Sequence, residues 1–298
     1  MKSLREKIEE VIQSDASREE KRRDLINLGI NAKDIAMFFK IYKIDKEDEI
    51  PYTLGVEIEC FNVNRDEFIR IAREKGVEIQ HEAYNHDTRN HYKVVNDGSI
   101  QGVDGLECVS PVLKGKVGLK SLKIVCDSLN RSGAKVNKST GLHVHVGLQN
   151  VSFEQYQNIF INYIHLESVI DSFMAPSRRG NENAYCRTMQ GISIDLLSQC
   201  CTNNDIRWRF NNSRYYKVNP VSFERHNTIE FRQHQGTTEY EKIEAWVKFI
   251  CKLVTWSKNN RLAATVASID NIPFLTGKEK EYFNNRVAAF AARTAQAA

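Results

Sequence analysis

Three short segments carry paired ionisable residues at a spacing of two. In V-E-I-E-C, Glu57 and Glu59 alternate with Val56, Ile58 and Cys60; in L-H-V-H-V, His143 and His145 alternate with Leu142, Val144 and Val146. In T-I-E-F-R, Glu230 and Arg232 alternate with Ile229 and Phe231. Residues two apart share one face of a strand, so each segment offers an apolar face to a core and an ionisable face to something else. Any one such strand also suits a solvated surface. The three in one sheet would set two carboxylates beside two imidazoles and a third carboxylate. Left unneutralised, Glu57 and Glu59 would repel one another, and a bound cation removes that cost. A mostly oxygen donor set with one or two imidazoles favours Mg²⁺ or Mn²⁺, with Zn²⁺ through His-x-His as the alternative.

Further donors flank these strands. Asp97 and Ser99 lie in the turn sequence NDGSI, and Glu107 lies in GLECVSP. Either carboxylate could complete a metal shell, and each equally suits a turn-forming Asp or an exposed Glu. Arg178, Arg179, Arg187, Arg207, Arg209 and Arg214 crowd residues 177–219, a polar stretch that reads as an excursion over an active site. Guanidinium forks match phosphate oxygens, although each arginine alone reads as a surface charge. No Walker-type or Rossmann glycine loop occurs, so phosphate binding would fall to metal ions and arginines. His234 follows the third strand and could reach the same cleft. His81, His86, His91 and His226 lack metal-ligand spacing, His165 reads as a packed or rim residue, and Cys200–Cys201 has no evident paired base.

The elements that must position these groups are legible in outline. Residues 1–50 look helical, with Ser17 and Glu20 at capping-box spacing, and carry eleven basic and twelve acidic residues, which excludes a basic arm. The charged stretch 43–51 reads as a linker. Strands are expected over 53–61, 77–80, 91–95, 106–109, 142–148 and 227–233. Helices are expected over 65–75, 116–131, 153–174 and 239–257. This gives a helical cap or adaptor at 1–50, a catalytic domain at 51–260 and a helical extension or tail at 261–298. The chain has 298 residues, 41% hydrophobic and 27% charged, enough to fold around a core. The net charge of +4 does not indicate nucleic acid. No apolar run is long enough for a membrane helix, and the charged start is unlike a signal peptide. Seven irregularly spaced cysteines read as reduced thiols, so a cytoplasmic location is expected.

The ordered set of motifs resembles the amidoligase branch of the glutamine synthetase-like carboxylate–amine ligases. The matching pieces are G-V-E-I-E at 55–59, D-x-S-I at 97–100, E-x-V-S-P at 107–111, N-x-x-T-G-L-H-V-H-V at 137–146, an arginine-rich segment with Tyr-Cys at 178–186, R-Y-x-x-V-N at 214–219 and T-I-E-F-R-x-H-x-G-T at 228–237. Each piece is weakly specific, and all of them in order is a strong signal over roughly 53 to 257.

The resemblance implies an α+β fold: a curved, mainly antiparallel sheet with helices on its convex side and an ATP site on the concave face, here preceded by a small helical N-terminal region. It implies two divalent ions. By matching positions Glu57, His143 and Glu230 would hold one, and Glu59 with Glu107 the other, with Asp97 a further candidate. His145 would approach the nucleotide phosphates and Arg232 the transferred phosphoryl group. Arg214 and Asn219 fall in a matching motif and are expected at the nucleotide, and Arg187 or Arg179 is expected as a further clamp. The expected activity is an ATP- and Mg²⁺-dependent joining of a carboxylate substrate to an amine donor through an acyl phosphate. These partners could be small molecules, peptides or protein side chains, and the N-terminal helices could dock a protein. The rival readings are a metal-dependent zinc hydrolase, which would turn over without nucleotide, and a non-catalytic adaptor with a ligase-like fold.

Overall fold

The structure, a computed structural model, describes residues 2–14, 18–42 and 50–297. Three short helices come first: α1 (Leu4–Gln13), α2 (Arg18–Asn27) and α3 (Ala32–Ile41). Ser3 and Glu6 form a capping box at the start of α1, and the Asn31 side chain caps α3. Their inward faces meet in a small core of Ile12, Leu25, Ile35 and Phe39. Ser17 of the expected capping box, and residues 43–49 of the expected linker, lie outside the described residues.

The remainder alternates strands and helices. β1 (Thr53–Cys60), α4 (Arg65–Glu74), β2 (Ile79–His81), β3 (Tyr92–Asn96), β4 (Leu106–Val109), β5 (Leu113–Lys114) and α5 (Gly115–Arg131) precede β6 (Gly141–Gly147) and the long α6 (Phe153–Ser172). After these come α7 (Ile194–Ser198), α8 (Asn203–Arg209), β7 (Val218–Asn219), α9 (Ser222–His226), β8 (Thr228–Gln235), α10 (Tyr240–Ser257) and α11 (Gly277–Ala297). The strands form one open sheet in the order β2-β3-β4-β1-β6-β8-β7, with β5 on the far end of β1. Only β2 and β3 run parallel; the other pairs are antiparallel. The fold is therefore α+β with a mostly antiparallel sheet and small N-terminal helices, as expected.

The alternation seen in the sequence sorts the two faces. Val56, Ile58, Leu142, Val144, Val146, Ile229 and Phe231 join the main core with the buried sides of α5, α6 and α10. Tyr163 of α6 packs on Phe231, with ring centres 5.8 Å apart. Residues beyond 260 also enter this core: Val266, Ile269, Ile272, Leu275 and Phe283 are buried, and the Phe283 ring lies 4.5 Å from that of Phe173. The seven cysteines are unpaired and only Cys201 is exposed. No helix among the described residues is long and apolar enough to cross a membrane.

One irregularity decides what β8 presents. Leu142 pairs with His234 and Val144 with Phe231, so Arg232 and Gln233 together oppose His143. The extra residue reverses the alternation beyond Arg232.

Candidate active site

The registers bring the ionisable faces together in the centre of the sheet. Glu57 stands opposite His143, Glu59 opposite Glu107, and His145 opposite Glu230. β7 adds Asn219 opposite Glu230. All seven residues line one cavity of about 1060 Å³, as do Arg232, Arg214 and Asp97. The walls come from residues 84–91, from Tyr185 and Tyr215 of the 177–219 segment, and from α9.

Most of the floor is buried although it is charged: Glu59, His143, Glu230 and Arg232 are each under a tenth exposed. His143 Nδ1 lies 3.1 Å from Glu57 Oε2 and 3.9 Å from Glu230 Oε1, and its Nε2 lies 3.6 Å from Glu59 Oε1. His145 Nε2 lies 3.4 Å from Glu57 Oε1, and its Nδ1 is oriented by the Thr228 hydroxyl at 2.9 Å. The Gly141 N–H donates to Glu59 Oε2 at 2.6 Å. A Cβ at Gly141 would come 2.9 Å from His143 Nε2 and 3.0 Å from Arg178 Nη2, so a side chain there would displace the His143 ring or the Arg178 guanidinium. Arg232 pairs with Glu230 Oε1 and donates from Nε to the Tyr185 carbonyl at 3.2 Å, while Asn219 donates to Glu230 Oε2.

Burial opposes charge throughout this cluster, and the neighbours decide the outcome. Burial would raise the Glu57 carboxyl, but hydrogen bonds and charge from His143 and His145 hold it well below the usual carboxylate range. Burial likewise raises Glu230, and Arg232 followed by His145 outweighs it. Burial would lower the His145 imidazole, and Glu230 and Glu57 reverse that. Glu107 has no such compensation: burial first, then Glu57, Glu59 and Asp97, push it well above the carboxylate range.

Two groups of donors lie close enough together to hold a cation. Ligand atoms of Glu57, Glu107 and His143 lie within 4.8 Å of one another, and so do those of Glu57, His145 and Glu230. The sets differ from those expected: Glu107 groups with Glu57 and His143, and His145 with Glu57 and Glu230, while one Glu59 oxygen is taken by the Gly141 N–H. The donors suit a hard divalent ion, whose charge would offset the burial and like-charge cost at Glu107.

Three expected residues stand elsewhere. His234 does not reach the cleft, because the bulge after Arg232 turns it toward the core. There its ring packs 5.7 Å from Trp246 and its Nδ1 meets the Gln235 carbonyl at 2.7 Å. Arg179 does not line the cavity as a clamp; it donates to the Met174 carbonyl at 3.0 Å at the end of α6 and lies over Phe290. Arg187 is likewise held away, donating to Ser213 Oγ at 2.9 Å and stacking 4.5 Å from the Tyr216 ring centre. Arg178 lines the cavity instead, 2% exposed, with Nη2 bonded to the Thr140 carbonyl and Nε without a partner. Asp97 is at the cavity, half-buried, its Oδ1 accepting from the Ser99 N–H at 2.7 Å.

Sequence reasoning also passed over Lys93. It lies on the site side of β3 and spends its ammonium on the Asn85 carbonyl, Asn85 Oδ1 and the Asp87 carbonyl, at 2.9, 3.0 and 2.9 Å. It pins the 82–91 wall. The available signal was a lone lysine inside the apolar run Y-K-V-V.

The open sheet gathers paired carboxylates, paired imidazoles and an arginine on one face of a single charged cleft, with donor groups close enough to hold a cation. Over residues 51–254 the sequence matches the family described as "putative amidoligase enzyme", and the chain belongs to that family. The match spans every strand of the cleft and leaves out α1–α3 and α11, and the family's name denotes an amide-bond ligase. No curated protein matches the sequence.

Proposed function

We propose that the protein is an ATP- and Mg²⁺-dependent carboxylate–amine ligase that activates its acid substrate as an acyl phosphate. The observation that carries this reading is the pair of donor triads sharing Glu57 in one cavity, bordered by Arg232 and Arg214. A carboxylate and an amine in water merely form a salt, so the acid needs a leaving group. A carboxylate oxygen attacks the terminal phosphorus of ATP, the bond to ADP breaks, and ADP leaves. The amine nitrogen then attacks the acyl carbon, the bond to phosphate breaks, and amide, phosphate and a proton result.

Divalent ions held by Glu57, Glu107 and His143, and by Glu57, His145 and Glu230, would supply neutralisation of phosphate charge. The chain's own groups do the rest. Arg232, locked between Glu230 and the Tyr185 carbonyl, presents a fixed cation to the transferred group. Thr228 fixes the orientation of the His145 ring. The walls at 84–91 and 177–219 limit water, which would hydrolyse an acyl phosphate.

The test is phosphate release from ATP and Mg²⁺ with pooled carboxylic acids and amines, followed by mass spectrometry. The reading predicts release that needs both acceptors, and a product lighter by one water than the acid and amine together. Turnover without nucleotide would favour the zinc hydrolase, and the absence of any turnover the non-catalytic adaptor.

A further inference from the structure

The amine step leaves a proton without an acceptor. An amine in neutral water is an ammonium ion, and it must lose a proton before its nitrogen has a lone pair to attack with. The groups on the sheet floor are already engaged: Glu57, Glu107, Glu230, His143 and His145 form the donor triads, and Glu59 accepts from the Gly141 N–H. Around the walls Asp87 pairs with Arg89 at 3.2 Å, His91 with Glu82 at 2.7 Å, and Glu224 with Arg207. Asp97 accepts from the Ser99 N–H, and His226 stands edge-on to His145 with ring centres 5.8 Å apart. That leaves His86.

His86 lines the same cavity from the 84–91 wall, and among the described residues neither of its ring nitrogens has a hydrogen-bond partner. Its ring stands edge-on to Tyr84, with centres 5.2 Å apart. The turn that carries it is clamped on both sides. Lys93 Nζ donates to the Asn85 carbonyl at 2.9 Å, to Asn85 Oδ1 at 3.0 Å and to the Asp87 carbonyl at 2.9 Å, so one ammonium grips both neighbours of His86. The Asp87 N–H closes the turn on Asn85 Oδ1 at 3.0 Å. Lys93 is 4% exposed, and burying an ammonium against neutral oxygens is costly, which makes sense if the residue between them must stay in place. The charges facing the ring favour its neutral form. Burial first, then Arg225 of α9 and Arg214 of the 177–219 segment, lower the imidazole; Lys93 adds to this and Glu57 opposes it. The ring is therefore uncharged at neutral pH and free to accept a proton.

We propose that His86 is the base of the amide-forming step, taking the proton that the amine must lose. This deepens the ligase reading above and rests on it. The ammonium gives one proton to a ring nitrogen of His86, and the freed lone pair attacks the acyl carbon. The carbon–oxygen bond to phosphate breaks, and a second proton from the nitrogen leaves with the phosphate. His86 is exposed at the rim, so its imidazolium returns the first proton to water.

The test sets two nucleophiles against each other, using the full chain with ATP, Mg²⁺ and pooled carboxylic acids. Hydroxylamine is uncharged at neutral pH and traps an acyl phosphate as a hydroxamate without needing a base; pooled alkyl amines need one. Wild type is expected to make both products. His86→Gln is expected to keep its melting temperature and its hydroxamate yield while amide formation falls about a hundredfold. Added imidazole should restore part of the amide formation lost in His86→Ala. Undiminished amide formation in His86→Gln, or an equal loss of both products, would overturn the base and leave the ligase reading standing. Hydroxamate from wild type with no amide from any pooled amine would do the same, and neither product from wild type would overturn both.

Discussion

Glu57 is the residue on which the site turns, because it belongs to both donor triads. Glu57→Gln should therefore weaken both cation sites, whereas Glu107→Gln should weaken one. Titration with Mn²⁺ followed by electron paramagnetic resonance checks this: wild type should show two sites, Glu107→Gln one, and Glu57→Gln neither at comparable affinity. Loss of one site only in Glu57→Gln would separate the triads. The accompanying loss of nucleotide turnover should be at least about a hundredfold. At this scale the sequence was informative wherever a strand alternated cleanly. Glu57 with Glu59, His143 with His145 and Glu230 with Arg232 each share a face, as their spacing predicts. It was uninformative where chemistry depends on how a loop folds. Nothing in an Arg-Arg pair says that Arg178 enters the cavity and Arg179 caps α6.

Among the elements, β8 shows how one extra residue redirects a strand. Period-two reasoning extends from Glu230 and Arg232 to His234, and the bulge opposite His143 breaks it. His234 is consequently a core group. Burial, then the charge of Arg286, lowers it to about 3. An ordinary unfolded imidazole titrates near 6.5, so between those values the unfolded chain binds more protons than the native one. Stability should thus fall as pH drops from about 6.5 toward 3, with a limiting slope from this one group of about 1.4 kcal/mol per pH unit. His234→Leu should flatten that limb in urea unfolding measured across pH. An unchanged slope would remove His234 as its source.

The 177–219 segment is anchored by another buried charge. Lys217 is fully buried and meets Glu167 Oε1 at 2.7 Å and Asp171 Oδ1 at 2.6 Å on α6. Glu167 also accepts from the Met189 N–H at 2.8 Å, and Asp171 from the Gly180 N–H at 2.9 Å. Lys217→Met leaves two carboxylates without their cation, and the expected cost is about 3–5 kcal/mol in denaturant unfolding. This network was invisible in the sequence because its members lie 46 and 50 residues apart.

At the scale of the whole molecule, the described residues contain two hydrophobic cores. The N-terminal helices close around four side chains of their own, while the sheet, its helices and residues 266–283 share the large core. Composition made the helical N-terminus legible, and periodicity gave the strands and the long helices. The part played by residues beyond 260 was not legible, because single buried residues such as Ile269 and Ile272 have no periodic pattern. Phe283 is 3% exposed and touches Phe173 and Phe249. Phe283→Ala should accordingly cost about 3–5 kcal/mol, measured by urea unfolding, and a cost near zero would mark the C-terminal helix as a loosely attached tail.

The most direct test of the account is a crystal structure with Mn²⁺ and a non-hydrolysable ATP analogue. The account predicts two anomalous peaks, one among Glu57, Glu107 and His143 and one among Glu57, His145 and Glu230, with the phosphate chain beside them. Nucleotide bound outside this cavity, or no manganese at either triad, would contradict it.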